Sequence, residues 1–249
     1  YAMIMAEDSH YLFTMSCADS CFSSFEVNQE SGELNQIYCE KWLEKKQYSG
    51  GHNYNSIIIE ENNLLVSSYW ESSFFSVNID LNTGLPLEIK KITDAQGAQI
   101  NGLRNVQLVE TSPDGEFVFA GTLSDGFSMF KRDPTSGGIH FLNSYGRFSD
   151  STYNFSKVRG LLALDDLLFV SLDKGGTGAI CIYKINADMS LEEIEFLTPN
   201  DFGLNDYPGI GGYLLSDKNQ QNIYIILDDE IYVLDYDSNN STVLLSQFV

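Results

Sequence analysis

Val106 to Tyr145 reads VQLVETSPDGEFVFAGTLSDGFSMFKRDPTSGGIHFLNSY, and this stretch decides the fold. It contains four strand-like segments, Val106–Thr111, Glu116–Thr122, Gly126–Arg132 and Ile139–Tyr145. Aromatic and β-branched residues recur in them at period two, and breakers separate them. Ser112-Pro113-Asp114-Gly115 supplies the first turn. Proline presets φ for an early turn position, and glycine accepts a positive φ. Asp133 to Gly138 turns the chain into the fourth segment.

The same unit recurs along the chain. Second strands begin near Tyr11, Leu64, Glu116, Leu167 and Ile223, at spacings of 53, 52, 51 and 56 residues. Third strands begin near Phe22, Phe74, Gly126, Ala179 and Ile231, at spacings of 52, 52, 53 and 52. A lone four-stranded sheet cannot bury both faces, so five such units predict radial stacking. The expected fold is all-β: a β-propeller of four-stranded antiparallel blades. A β-solenoid would have shorter rungs and fewer tight turns. The predicted units are about 2–42, 56–92, 106–145, 158–197 and 211–249, in one domain spanning 1–249. Ser190 to Phe196 has some helical character, but its place in the repeat predicts a fourth strand.

The chain has 249 residues, 43% of them apolar, with 16 Phe and 14 Tyr. That is enough for one repeat array with a continuous core. No apolar run approaches the ~20 residues of a membrane span. The formal charge of −21 repels nucleic acid and anionic membranes, so neither is an expected partner. The chain begins at Tyr1 with no visible signal peptide, which reads as a processed or partial sequence whose targeting is not legible. Cys17, Cys21 and Cys39 fall in the first unit, where one disulfide would form in an oxidising compartment. Cys181 stands alone, and no second Cys or His pair completes a zinc site with Cys17 and Cys21.

Gly102-Leu103-Arg104-Asn105, TSPDGEFVFA and GFSMFKRDPTSGGIHFL together resemble a blade of the lactonase-type β-propellers, relatives of 6-phosphogluconolactonase with YVTN-type repeats. Ser112 to Gly115, Phe130 to Asp133 and Gly137 carry the resemblance, and Asp80-Leu81-Asn82-Thr83-Gly84 repeats its turn. The period extends along the whole chain, whereas the motifs cover about a fifth of it. The family's rings have seven blades, and two more units would need roughly 100 further residues. The chain starts at a first strand and ends at a fourth, which favours a closed ring of five; part of a seven-bladed ring is the alternative.

In a propeller, the loops entering first strands and those joining second to third strands meet on one face. His52, Asn53, Arg104, Asn105, Lys157, Arg159, Asp206 and Tyr207 are expected there. Lactone hydrolysis needs donors for a developing oxyanion and a base for water. Arg104 and Arg159 suit the first task and His52 the second, while Asn53, Asn105, Lys157, Asp206 and Tyr207 suit ligand binding. The resemblance implies channel-facing Arg, His and carboxylate groups without fixing which residues these are here. Calcium is a weaker expectation. Asp235 to Asn239 and Asn78 to Gly84 offer alternate oxygen ligands, but Ser246 stands where a calcium loop counted from Asp235 needs glutamate. No other cofactor is expected. Asn154-Phe155-Ser156, Asn239-Asn240-Ser241 and Asn240-Ser241-Thr242 fit the glycosylation pattern.

With no clear catalytic set, the first expectation is a non-catalytic binding module of an exported or surface protein. Its ligand would be a protein, peptide or glycan at the channel mouth. The alternatives are a lactone hydrolase and a cytoplasmic location.

Overall fold

Short segments with apolar side chains at period two, punctuated by Asx and glycine turns, pair as antiparallel hairpins. In the computed structural model the described residues are 2–5, 10–16, 21–41, 56–69, 71–93, 102–133, 136–146, 157–174, 177–202, 212–217, 222–226, 231–237 and 242–248. They form five four-stranded meanders. The first is β1 (Ala2–Met5), β2 (Tyr11–Ser16), β3 (Cys21–Val27) and β4 (Leu34–Lys41); the second is β5 (Ile57–Glu60), β6 (Asn63–Ser68), β7 (Ser73–Asp80) and β8 (Leu85–Thr93). The third is β9 (Val106–Thr111), β10 (Phe117–Thr122), β11 (Phe127–Arg132) and β12 (Ile139–Tyr145). The fourth is β13 (Lys157–Leu164), β14 (Leu167–Lys174), β15 (Thr177–Ile185) and β16 (Leu191–Leu197). The fifth is β17 (Tyr213–Ser216), β18 (Asn222–Ile226), β19 (Ile231–Asp237) and β20 (Thr242–Phe248). Leu191–Leu197 is a strand, as its place in the repeat predicts; a 3-10 turn, Pro199–Phe202, follows it.

The last hairpin of each of the first three sheets has the same chemistry. Backbone N–H groups of Gly32, Gly84 and Gly137 donate to the carbonyls of Asn28, Asp80 and Asp133, at 2.7 to 2.8 Å. All three glycines have φ between 63° and 72°. The Asx side chain closes each turn; Asp80 accepts from the Asn82 N–H at 2.9 Å and from Thr83 Oγ1 at 2.8 Å. The carboxylate expected as a calcium ligand is therefore occupied by its own turn, and these bonds hold the Asp80 carboxyl below its usual range. Asp133 does the same with Ser136.

Four apolar clusters join successive sheets. Phe13, Met15 and Phe22 pack on Ile57, Leu64 and Val66; Leu65 and Phe74 pack on Val106, Val109 and Phe130. Phe117, Phe119 and Phe127 pack on Val158, Leu161 and Val170; Leu162, Phe169 and Ile182 pack on Leu214, Ile223 and Tyr232. Three second strands place a large apolar residue, then a small one two positions on, against the next sheet: Leu65 and Ser67, Phe119 and Gly121, Phe169 and Ser171; β2 instead places Phe13 and Met15. Ser67 Oγ donates to the Gln107 carbonyl at 2.8 Å, and Ser171 Oγ to the Gly212 carbonyl. At Gly121 a Cβ would lie 2.9 Å from Val158 Cγ1. Gln107 Nε2 instead reaches across to the Val158 carbonyl at 3.0 Å.

Among the described residues no cluster joins the first sheet to the fifth. Met3 and Met5 on β1 are 69% and 54% exposed, and Tyr213 and Leu215 on β17 are 49% and 54% exposed. Among the described residues the five sheets pack in chain order, each on the next. Of the three cysteines in the first unit, Cys21 and Cys39 are bonded, with Cα atoms 6.3 Å apart; Cys17 lies outside the described residues.

The tight passage between sheets is testable. A Cβ on Gly160 would stand 2.6 Å from the Gly212 carbonyl oxygen, at ordinary φ, so only crowding opposes it. Gly160→Ala is expected to destabilise the fold by about 1–3 kcal/mol in urea unfolding. Gly32 has open space around it, so Gly32→Ala carries only the left-handed backbone cost, about 1–2 kcal/mol. Indistinguishable midpoints for Gly160→Ala and the unaltered protein would show that the strands separate easily.

Candidate functional site

The segment Gly102 to Asn105 leads into β9 and fixes Arg104 by its neighbours. Leu103 is fully buried against the cluster between the second and third sheets. The Gly102 carbonyl accepts from Ser128 Oγ at 3.2 Å. Asn105 holds φ at +59°, and its Nδ2 donates to Ser124 Oγ at 2.9 Å. Its backbone N–H donates to Ser72 Oγ of the preceding sheet at 3.2 Å. Arg104 therefore leaves a rigid support.

The Arg104 side chain forms a bidentate pair with Asp125, Nε to Oδ2 at 3.2 Å and Nη2 to Oδ1 at 3.3 Å. Asp125 is almost fully buried, and its N–H donates to Thr122 Oγ1 at 2.9 Å. Arg104 is 58% exposed. A buried, fixed acceptor thus orients an exposed guanidinium, whose remaining N–H groups point elsewhere. Asp125 lies in the loop between β10 and β11, so this pair joins the two kinds of loop expected to share one face.

Lys157 and Arg159 lie at the matching end of β13, next to β9. The Gln107 to Val158 bond ties the two strand ends together. Register shifts place Gln107 in a bulge between Val106 and Leu108, and Arg159 in one between Val158 and Gly160. The two bulged residues are 52 positions apart, equivalent places in neighbouring blades. A bulge re-aims its side chain relative to the alternating strand pattern. Gln107 is buried with Oε1 unpartnered, whereas Arg159 is half-buried and Lys157 exposed. Arg104, Asn105, Lys157 and Arg159 thus occupy the same end of adjacent blades. His52, Asn53, Asp206 and Tyr207 lie outside the described residues.

Sequence reasoning missed a second group, at the far end of β9. Glu110 is half-buried, and desolvation pushes its carboxyl up to about 8, against a hydrogen bond from the Thr111 N–H and with help from the Glu60 charge. Burial also raises the Glu60 carboxyl, opposed by the buried Arg132 guanidinium. Thr111 Oγ1 donates to Glu60 Oε2 at 3.5 Å. The legible signal is a glutamate directly after Leu108-Val109, on a strand with apolar residues at three of its first four positions. Six residues of strand separate Arg104 from Glu110, roughly 20 Å, so the two ends cannot serve one reacting carbonyl. Burial pushes the Cys181 thiol far above its ordinary range, which removes it as a nucleophile. Among the described residues no group of three His, Cys, Asp or Glu side chains is placed to hold a metal ion.

No family model matches the sequence, and no relative was found among curated proteins. Solved structures do match. A Lactobacillus plantarum protein shares 15% identity, with a TM-score of 0.71 over 99% of this chain and 70% of its own. A candidate 6-phosphogluconolactonase of Bacteroides uniformis shares 16%, with a TM-score of 0.70 over 99% and 70%. The periplasmic gluconolactonase of Pseudomonas aeruginosa shares 14%, with a TM-score of 0.54 over 100% and 84%. The likeness is one of fold, the β-propeller of the lactonase type.

Glu110 makes stability depend on pH with a definite sign. Its folded carboxyl titrates near 8, above the ordinary value of 4.5, so between these the folded state holds the extra proton. Its contribution is full below about pH 4.5 and is lost as pH rises through 8. Glu110→Gln is expected to raise the urea midpoint at pH 8 and leave it nearly unchanged at pH 5. Equal shifts at both values would mean that Glu110 titrates normally.

Proposed function

We propose that the protein hydrolyses a small anionic lactone of the sugar-acid kind, bound at the face that carries Arg104, Lys157 and Arg159. One observation carries this reading. In a chain of formal charge −21, Arg104, Lys157 and Arg159 lie at the matching ends of two adjacent blades, and a buried aspartate orients the first. Such a patch attracts an anion that the rest of the surface repels. In the reaction, water adds to the lactone carbonyl carbon, the ring C–O bond breaks, and a hydroxy acid leaves. Guanidinium N–H groups suit the transient oxyanion, and the negative substrate needs a cation in any case. The fold shared with the Pseudomonas aeruginosa gluconolactonase supports the choice of substrate class.

Binding without catalysis is the second reading, favoured by a specific observation. Asp125 already takes two of the Arg104 N–H groups, and among the described residues of this face no base stands ready for water. The ligand would then be an acidic glycan or an acidic peptide.

Proton release on sugar-acid and neutral lactones separates the two readings. Hydrolysis predicts saturable turnover, with kcat/KM falling about 10²-fold in Arg104→Ala and in Arg159→Ala while melting temperatures hold. Turnover no faster than buffer, together with binding of sugar-acid anions that the same variants lose, would favour the binding module.

We also infer an oxidising compartment, because Cys21 and Cys39 are bonded on adjacent strands. Alkylation of the protein from its own cells, without reductant, is expected to leave Cys21 and Cys39 in one linked peptide. Cys181 would react only after unfolding. Alkylated Cys21 and Cys39 in native protein would overturn the inferred compartment.

A further inference from the structure

The face that the second sheet turns to the third is apolar at first. Leu65, Phe74 and Ile92 lie on it, in the cluster that also holds Phe130. Further along the same face the side chains turn polar. Asn63, Asn78 and Glu88 stand in one cross-strand row, and Ser76 and Lys90 in the next. Asn63 and Ser76 are buried. The equivalent places hold Phe117 and Met129 in the third sheet, and Leu167 and Ile182 in the fourth, all buried. The third sheet answers with Arg132 at the end of β11. Its backbone N–H donates to the Glu116 carbonyl, as those of Ile79 and Ile185 donate to Asn62 and Asp166. A fully buried arginine, 1% exposed, thus stands where the neighbouring sheets have isoleucine.

Polar groups on both sides of such an interface are costly unless they find partners. Asn63 Nδ2 donates to Ser76 Oγ at 3.0 Å, and Arg132 Nη1 to the Gly115 carbonyl at 3.2 Å. The Glu60 carboxylate senses the Arg132 charge. Two atoms are left over. Arg132 Nε and Asn78 Oδ1 are buried and have no hydrogen-bond partner among the described residues. Both residues line one cavity of about 40 Å³, together with Asn62, Glu88, Lys90 and Ser136. That volume has room for about three water-sized groups. Lys90 and Glu88, paired at 3.0 Å and half exposed, form its wall toward solvent. Two cations against one carboxylate leave the lining positive.

We propose that this cavity binds the head group of a small 2-hydroxy carboxylate. The carboxylate accepts from Arg132 Nε and Lys90 Nζ, and the 2-hydroxyl donates to Asn78 Oδ1. A halide or a simple carboxylate offers Asn78 no donor, and water brings no charge to Arg132. The cavity lies at the end of β11 away from Asp125, so the assignment is independent of the activity proposed for the Arg104 face.

Titration with glycolate at constant ionic strength, followed by calorimetry and by melting temperature, tests the site. Saturable binding is expected, about tenfold or more tighter than that of acetate. Arg132→Ile, which installs the residue of the neighbouring sheets, is expected to abolish it. Lys90→Gln, at the exposed rim, is expected to weaken it about tenfold while leaving the melting temperature without glycolate unchanged, and it decides the matter if Arg132→Ile does not fold. Arg104→Ala is expected to leave glycolate binding intact. No saturable binding to the unaltered protein would mean that the cavity holds water alone, and would overturn the proposal. Equal affinity for acetate would overturn it too, as would binding that Arg104→Ala removes and Lys90→Gln does not.

Discussion

The close passage of each inner strand beside the second strand of the preceding sheet governs the rest of the molecule. At three of the four crossings the second strand supplies a small residue, Ser67, Gly121 or Ser171, while the first sheet places Met15 there. Where that residue is serine, its hydroxyl also satisfies a carbonyl of the passing strand. Where it is glycine, Val158 fills the space, and Gln107 makes the crossing bond instead. Either solution lets the large neighbours Leu65, Phe119 and Phe169 interlock with the next sheet. The strand-end geometry that presents Arg104, Lys157 and Arg159 depends on this crossing.

The two ends of β9 have opposite electrostatic character. At one end, a buried acidic group directs an exposed cation into solvent. At the other, burial keeps a glutamate protonated near neutral pH, beside a second perturbed carboxyl. Both arrangements follow from charges held in a wall built mainly of Val, Leu and Phe.

Strands and turns were largely legible because they are local. Period-two apolar runs fixed the sheets, and Asn28, Asp80 and Asp133, each four residues before a glycine, fixed their last hairpins. The strand over Leu191–Leu197 was legible only through the repeat, since its own propensity is ambiguous. The site was less legible. Arg104, Asn105, Lys157 and Arg159 share one end of their blades, a placement that the repeat makes legible through topology. Asp125 was missed because it stands 21 residues from Arg104, in what reads as an ordinary Ser-Asp-Gly turn. Gln107 and Arg159 became equivalent only once the bulges were seen, since a bulge breaks the alternation that sequence reading relies on. Blade number is not a local property, because nothing in its own sequence distinguishes an end sheet from an internal one.

Each apolar cluster belongs to two adjacent sheets and to no third. Such an array couples only nearest neighbours, so its cooperativity runs along the chain of sheets. An internal sheet opens only by breaking two interfaces, whereas an end sheet breaks one. Taken as a linear array, the described sheets would open from both ends, with amide exchange fastest in β1–β4 and β17–β20 and slowest in the third sheet. Joining the ends would abolish that gradient and turn a frayed line into a loop that must open all at once.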